Sequence, residues 1–245
     1  MFPQYDAPLP ALTTEQMIEV DRAMIEDYRI ELVQMMENAG RNLAHLARRR
    51  FLDGDPRDKP VVVLAGSGGN GGGALVAARR LHNYGANVQV YLTRPRAEFA
   101  PVPAHQLDIL LRMGVPVFQA GDIGKAVAPA LIIDGIIGYS LRGEPRGAAA
   151  DLIRWANGQT APILALDAPS GLDTASGTAH APTIHAAATM TLALPKVGLL
   201  ADEAKPFVGE LYLADISVPP ALYAGPGLQM SVEPIFAIED IVRLR

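Results

Sequence analysis

The sequence predicts an α/β domain, a three-layer α/β/α sandwich around a mostly parallel sheet. Three observations carry that expectation. Apolar strand-like runs alternate with helix-like segments, a glycine-rich turn follows the first run, and polar residues cluster just past the ends of the buried runs. The 245 residues, 49% hydrophobic and 19% charged, fit one compact domain over 1–245 with a large core. Within it we expect a helical pair over 1–55, an α/β core over 60–230 and a tail over 231–245.

Taken in order, Thr13-x-x-Gln16 is a capping-box start, after which Met17, Val20, Met24, Ile25 and Tyr28 recur at helical spacing. Leu32, Met35, Met36, Ala39, Leu43, Leu46 and Ala47 repeat in three- and four-residue steps and predict a second helix, with its methionines as core filler. Gly40 inside that helix costs about 1 kcal/mol against alanine, so it is expected to admit a close neighbouring backbone. A polar, proline-punctuated segment over 53–60 leads into the first strand, 61–65. Glycine dominates 66–73, read as a loop, and helical composition resumes over 74–81. Strands are then expected at 87–92, 115–118, 130–134, 162–167, 186–193 and 207–214, with helical segments at 103–113, 123–129 and 148–157. The tail carries Val232, Ile235, Phe236, Ile238, Ile241 and Val242, enough apolar surface to dock on the domain.

Composition excludes several functions. A net charge of -5 without a dense Lys/Arg run argues against a nucleic-acid surface, and Arg48-Arg49-Arg50 reads as the solvated last turn of a helix. Zero cysteines exclude disulfides, thiol catalysis and cysteine-ligated metal. The first residues lack a basic segment followed by an apolar one, and no apolar run reaches transmembrane length, so we expect a soluble, cytoplasmic protein without a membrane partner. The five histidines show no ligand spacing.

Ligands of parallel sheets collect at the carboxyl ends of the strands. Three polar groups stand there: Asn70 in the glycine turn, Asp134 after Leu131-Ile132-Ile133, and Asp167-Ala168-Pro169-Ser170-Gly171-Leu172-Asp173. All three are expected to face one crevice. Their amide, carboxylate and hydroxyl oxygens suit a hard cation or a hydroxylated ligand, and a carboxylate there can move a proton. Glycine without Cβ lets backbone N–H groups approach an anion at a helix start. Arg142 has two readings, a bidentate phosphate ligand or an exposed side chain paired with Glu144.

These segments resemble the NAD(P)H-hydrate epimerase family, the YjeF N-terminal domain also found in apolipoprotein A-I-binding protein. The resemblance covers nearly the whole chain. It rests on Leu12-Thr13-Thr14-Glu15-Gln16-Met17 with Asp21, Met36-Glu37-Asn38-Ala39-Gly40, the glycine turn through Arg79, the 134–143 segment and Asp167 to Asp173. Thr191, Pro195-Lys196-Val197-Gly198-Leu199-Leu200, Val208-Gly209 and Asp215-Ile216 continue it. It implies a Rossmann-like sandwich, commonly a homodimer, that interconverts the R and S hydrates of NADH or NADPH so that a separate dehydratase can repair the S form. It also implies a potassium ion held by Asn70, Asp134 and Ser170. Substrate contacts would come from Gly69, Asn70, Gly71, Gly72, Gly73, Gly138, Tyr139, Ser140, Leu141, Arg142, Gly143, Glu144 and Asp167. Asp134 is the candidate for proton transfer in a reversible loss of water.

The glycine turn departs from the family's Gly-x-Gly-Asn-Asn-Gly-Gly-Asp-Gly: Gly69 replaces the first asparagine, Gly73 the aspartate and Ala74 the last glycine. Losing a ligand-facing carboxylate is expected to cost on the order of 1–3 kcal/mol in binding or transition-state stabilisation. Two other functions therefore stay open: an isomerase or lyase acting on another phosphate-bearing ligand, and a catalytically inactive dimeric binding module. A dehydrogenase reading, prompted by G-x-G-x-x-G with Arg94 and Arg96, is disfavoured because no Tyr-x-x-x-Lys pair occurs.

Overall fold

The apolar runs assemble into one eight-stranded sheet in a computed structural model that describes residues 2–245; Met1 lies outside the described residues. The strands are β1 (Pro60–Ala65), β2 (Asn87–Leu92), β3 (Val117–Gln119), β4 (Leu131–Gly135), β5 (Ile163–Leu166), β6 (Ala188–Leu192), β7 (Glu210–Ala214) and β8 (Ile241–Arg243). They lie in the order β3-β2-β1-β4-β5-β6-β7-β8, and every pairing is parallel except that of β7 with β8.

Alternate residues of a strand point to opposite faces, which is why β1 must be apolar throughout. Val61, Val63 and Ala65 pack with Leu43 of α2 (Leu32–Arg50), Leu75 of α3 (Gly69–Asn83) and Leu107 of α4 (Pro101–Arg112). Val62 and Leu64 pack on the other face with Leu152 and Ile153 of α5 (Gly147–Asn157). This is the expected three-layer sandwich. Ahead of it, α1 (Thr14–Glu26) starts with the expected box: the Thr13 hydroxyl accepts from Gln16 N, and the Gln16 side chain accepts from Thr13 N.

Four local details differ from the sequence reading or complete it. The glycines of 69–73 are not loop but the first turn of α3. A Cβ on Gly40 would sit 2.4 Å from Val76 Cβ and 2.6 Å from Gly73 O, so this glycine brings α2 and α3 into backbone contact. The 123–129 segment forms no α-helix; a 3-10 turn over Ala120–Lys125 replaces it. In the tail, β8 adds to β7 with Tyr212 opposite Arg243 and Leu213 opposite Val242, so Ile241 and Val242 dock on the domain as an edge strand and Ile235 is buried ahead of them, whereas Ile238 stays exposed to solvent. No helix among the described residues is long and apolar enough to cross a membrane.

Candidate active site

The sheet order makes β1 the turning point: the chain runs outward through β2 and β3, then crosses back to β4 on the other side of β1. Connections leaving β1 and β4 diverge there and open a crevice at their carboxyl ends. A cavity of about 300 Å³ occupies that position, lined among others by Asp21, Gly69, Asn70, Gly73, Gly138, Tyr139, Ser140 and Asp167.

Space, more than flexibility, explains the glycines. A Cβ on Gly71 would lie 1.8 Å from Gly66 O, one on Gly72 would lie 2.6 Å from Met36 Sδ, and one on Gly73 would lie 2.8 Å from Leu166 Cδ2. None of the three has a positive φ. The turn therefore lets α3 start deep against β1, with the N–H groups of its first turn at the crevice. Gly71 and Gly72 face the protein interior, whereas Gly69, Asn70 and Gly73 reach the cavity.

Behind the cavity wall lies a carboxylate with no exposed surface. Asp134 Oδ1 accepts from Ser170 Oγ at 2.6 Å and Ile136 N at 3.2 Å, and Oδ2 accepts from Ser170 N at 2.8 Å. Burial pushes its carboxyl up to about 6, against the pull of those hydrogen bonds. Among the described residues no lysine, arginine or histidine forms an ion pair with it. On the cavity side, Asn70 Nδ2 is buried without a partner. The oxygens gathered here, those of the Asp134 carboxylate, the Ser170 hydroxyl and the Asn70 side-chain carbonyl, are of the kind a hard cation takes, whereas the unpartnered Asn70 Nδ2 is a donor that suits an acceptor on a ligand.

A second buried acid has its counter-ion in the chain. Asp167, at φ 65, takes a left-handed backbone unusual for a residue with a side chain. Its Oδ1 accepts from Lys196 Nζ at 2.5 Å and its Oδ2 from Tyr139 N at 2.9 Å. Lys196 Nζ also donates to Leu192 O at 2.9 Å and Thr191 Oγ1 at 3.2 Å, which uses all three of its protons. The Tyr139 hydroxyl donates to Asp21 Oδ2 at 2.5 Å, tying the 136–146 loop to α1. Burial and the facing Asp21 carboxylate raise the Tyr139 hydroxyl well above its ordinary range.

The structure thus gathers Gly69, Asn70, Gly73, Gly138, Tyr139, Ser140 and Asp167 on one cavity, with Asp134 and Ser170 beneath its floor. Leu141, Arg142, Gly143 and Glu144 do not line it; Arg142 and Glu144 are exposed and make no ion pair with each other. Arg94 and Arg96 pair with Glu98 and Asp108 away from the crevice. Sequence reasoning assigned no role to Asp21 or Lys196, and it placed Met17, Leu32, Met35 and Met36 in the core although they wall the cavity. Only the family motifs around Asp21 and Lys196 carried a signal.

A sandwich whose parallel strands reverse order at β1, with a helix N-terminus and acids at the reversal, defines a small-molecule-binding domain of the Rossmann-like class. The chain belongs to the family described as YjeF-related protein N-terminus, which it matches over residues 32–198. An NAD(P)H-hydrate epimerase from Dehalogenimonas lykanthroporepellens is 40% identical over 92% of this chain and 89% of its own length. A bifunctional NAD(P)H-hydrate repair enzyme from Salinibacter ruber is 38% identical over 86% of this chain, which spans only 41% of that protein. Among solved structures, the yeast protein YNL200c superposes with a TM-score of 0.80 at 25% identity, covering 96% of this chain and 100% of its own.

Proposed function

We propose that this chain epimerises the hydrates of NADH and NADPH, interconverting their R and S forms. The observation that carries the reading is that a relative bearing the epimerase name matches this chain almost end to end. The crevice supports it: the N–H groups at the start of α3 suit a phosphate, and the apolar wall of Met17, Leu32 and Met35 suits a ring.

Epimerisation at a carbon that bears hydroxyl beside a ring nitrogen proceeds through loss of water to an iminium and re-addition on the other face. The residues of this crevice bind the nucleotide and hold a proton at its hydroxyl. Asn70, Asp134 and Ser170 would hold a potassium ion, which when bound supplies the positive charge that Asp134 lacks. With its oxygens turned inward, Asp134 acts in this reading as a ligand of that ion. We also propose that the chain works as a homodimer and that the S form it makes is consumed by a dehydratase.

The test mixes the R-epimer with the protein in potassium buffer and follows the S-epimer by chromatography, with Asp134→Ala alongside. Conversion faster than the spontaneous baseline and reduced in the variant is the expected result. A rate equal to buffer alone rejects the reading.

A further inference from the structure

Three carboxylates stand at or under this crevice, and their hydrogen bonds separate them. Asp134 has no exposed surface and both oxygens taken by Ser170 and Ile136. Asp167 is also fully engaged, with Lys196 on one oxygen, Tyr139 N on the other and a side chain only 6% exposed. Asp21 is different. It lies one helical turn past Met17 on α1, both line the cavity, and only its Oδ2 has a donor, the Tyr139 hydroxyl. No donor among the described residues reaches Oδ1, and no lysine, arginine or histidine pairs with the carboxyl.

We propose that Asp21 is the catalytic carboxylate that gives a proton to the ring hydroxyl of the hydrate and takes it back, with Tyr139 as its positioning residue. This deepens the epimerase reading and rests on it. Because Tyr139 occupies Oδ2, a proton on Asp21 sits on Oδ1, the oxygen left open to a ligand. Burial raises the Asp21 carboxyl, and facing Asp167 adds to this, while the Tyr139 hydrogen bond and the more distant Lys196 oppose it. A carboxyl held above its ordinary range remains protonated nearer neutrality, as a general acid requires.

The step balances. The C–O bond breaks with its electron pair on oxygen, which takes the Asp21 proton and leaves as water, while the ring nitrogen lone pair forms C=N. Water then adds to the opposite face through an oxygen lone pair, the C=N pair returns to nitrogen, and the surplus proton returns to Asp21 through solvent. Substrate and product differ only in configuration.

The experiment measures kcat, KM and thermal midpoint for wild type, Asp21→Asn, Asp21→Glu and Tyr139→Phe in the epimer assay, each above the spontaneous baseline. Asp21→Asn keeps the shape of the side chain and is expected to lower kcat about 100-fold or more, with KM changed less than about threefold. Asp21→Glu should recover part of the rate, which a merely structural role would not produce. Tyr139→Phe removes the bond that holds the carboxyl down, so the pH limb assigned to Asp21 should move upward. An active wild type with Asp21→Asn kcat within about threefold of it overturns the assignment while leaving the epimerase reading intact. Should Asp21→Asn fail to fold, an unshifted limb in Tyr139→Phe overturns it equally. A wild type no faster than buffer removes both readings together.

Discussion

Lys196 shows how one residue organises this crevice. Its ammonium has almost no exposed surface, and its partners are Thr191 and Leu192 of β6 and Asp167 just past the end of β5. Removing one member of a buried pair strands the other, at a cost of about 3–5 kcal/mol. Lys196→Met should therefore destabilise the protein by about that amount in urea unfolding, whereas Lys205→Met, whose exposed ion pair is with Asp202, should change little. Equal stability of the Lys196 variant and wild type would show that the pair does not anchor Asp167. Asp167 is legible in the sequence as an acid ending a buried strand, but nothing in the spacing joins it to a lysine 29 residues away. That pairing depends on β5 and β6 lying side by side.

At the scale of elements, the glycine turn is the instructive case. Its composition marks a ligand-binding connection between strand and helix, and the connection is there. Its conformation was not legible, because glycine disfavours helix by about 1 kcal/mol per residue while contacts with Gly66, Met36 and Leu166 require its missing side chain. Gly73 has room for neither the family's aspartate nor alanine unless Leu166 moves. Gly73→Asp should thus lower stability by about 1–3 kcal/mol, and Leu166→Ala added to it should recover part of that loss relative to the two single changes. Strict additivity in the double-mutant cycle would contradict the shared space. By the same logic the methionines of α1 and α2 read as core from periodicity alone, since a cavity wall and a core face are equally apolar to the sequence.

For the whole molecule, the reversal of strand order at β1 decides where the charges gather. It brings Asn70 after β1, Asp134 at the end of β4 and Ser170 after β5 to one place, with a carboxylate that no lysine, arginine or histidine among the described residues neutralises. If potassium supplies the missing charge, it binds the folded chain and not the unfolded one. At 100 times its Kd it should then stabilise by about 2.7 kcal/mol and raise Tm by about 5–10 °C over the same concentration of lithium. The difference should vanish in Asp134→Asn. Identical melting in both salts would argue that the buried carboxyl is instead accommodated by taking up a proton.

By itself the sequence determined the α/β alternation, the capped helix ahead of it, the apolar strands and the acids at their ends, because these follow from local periodicity and turn chemistry. Motifs in order also sufficed to place the chain in its family. Tertiary structure alone decided which acid is buried without a counter-charge, which is paired with Lys196 and which keeps an oxygen open to the crevice. These distinctions depend on burial and on contacts between residues far apart in the chain, and neither leaves a trace in spacing.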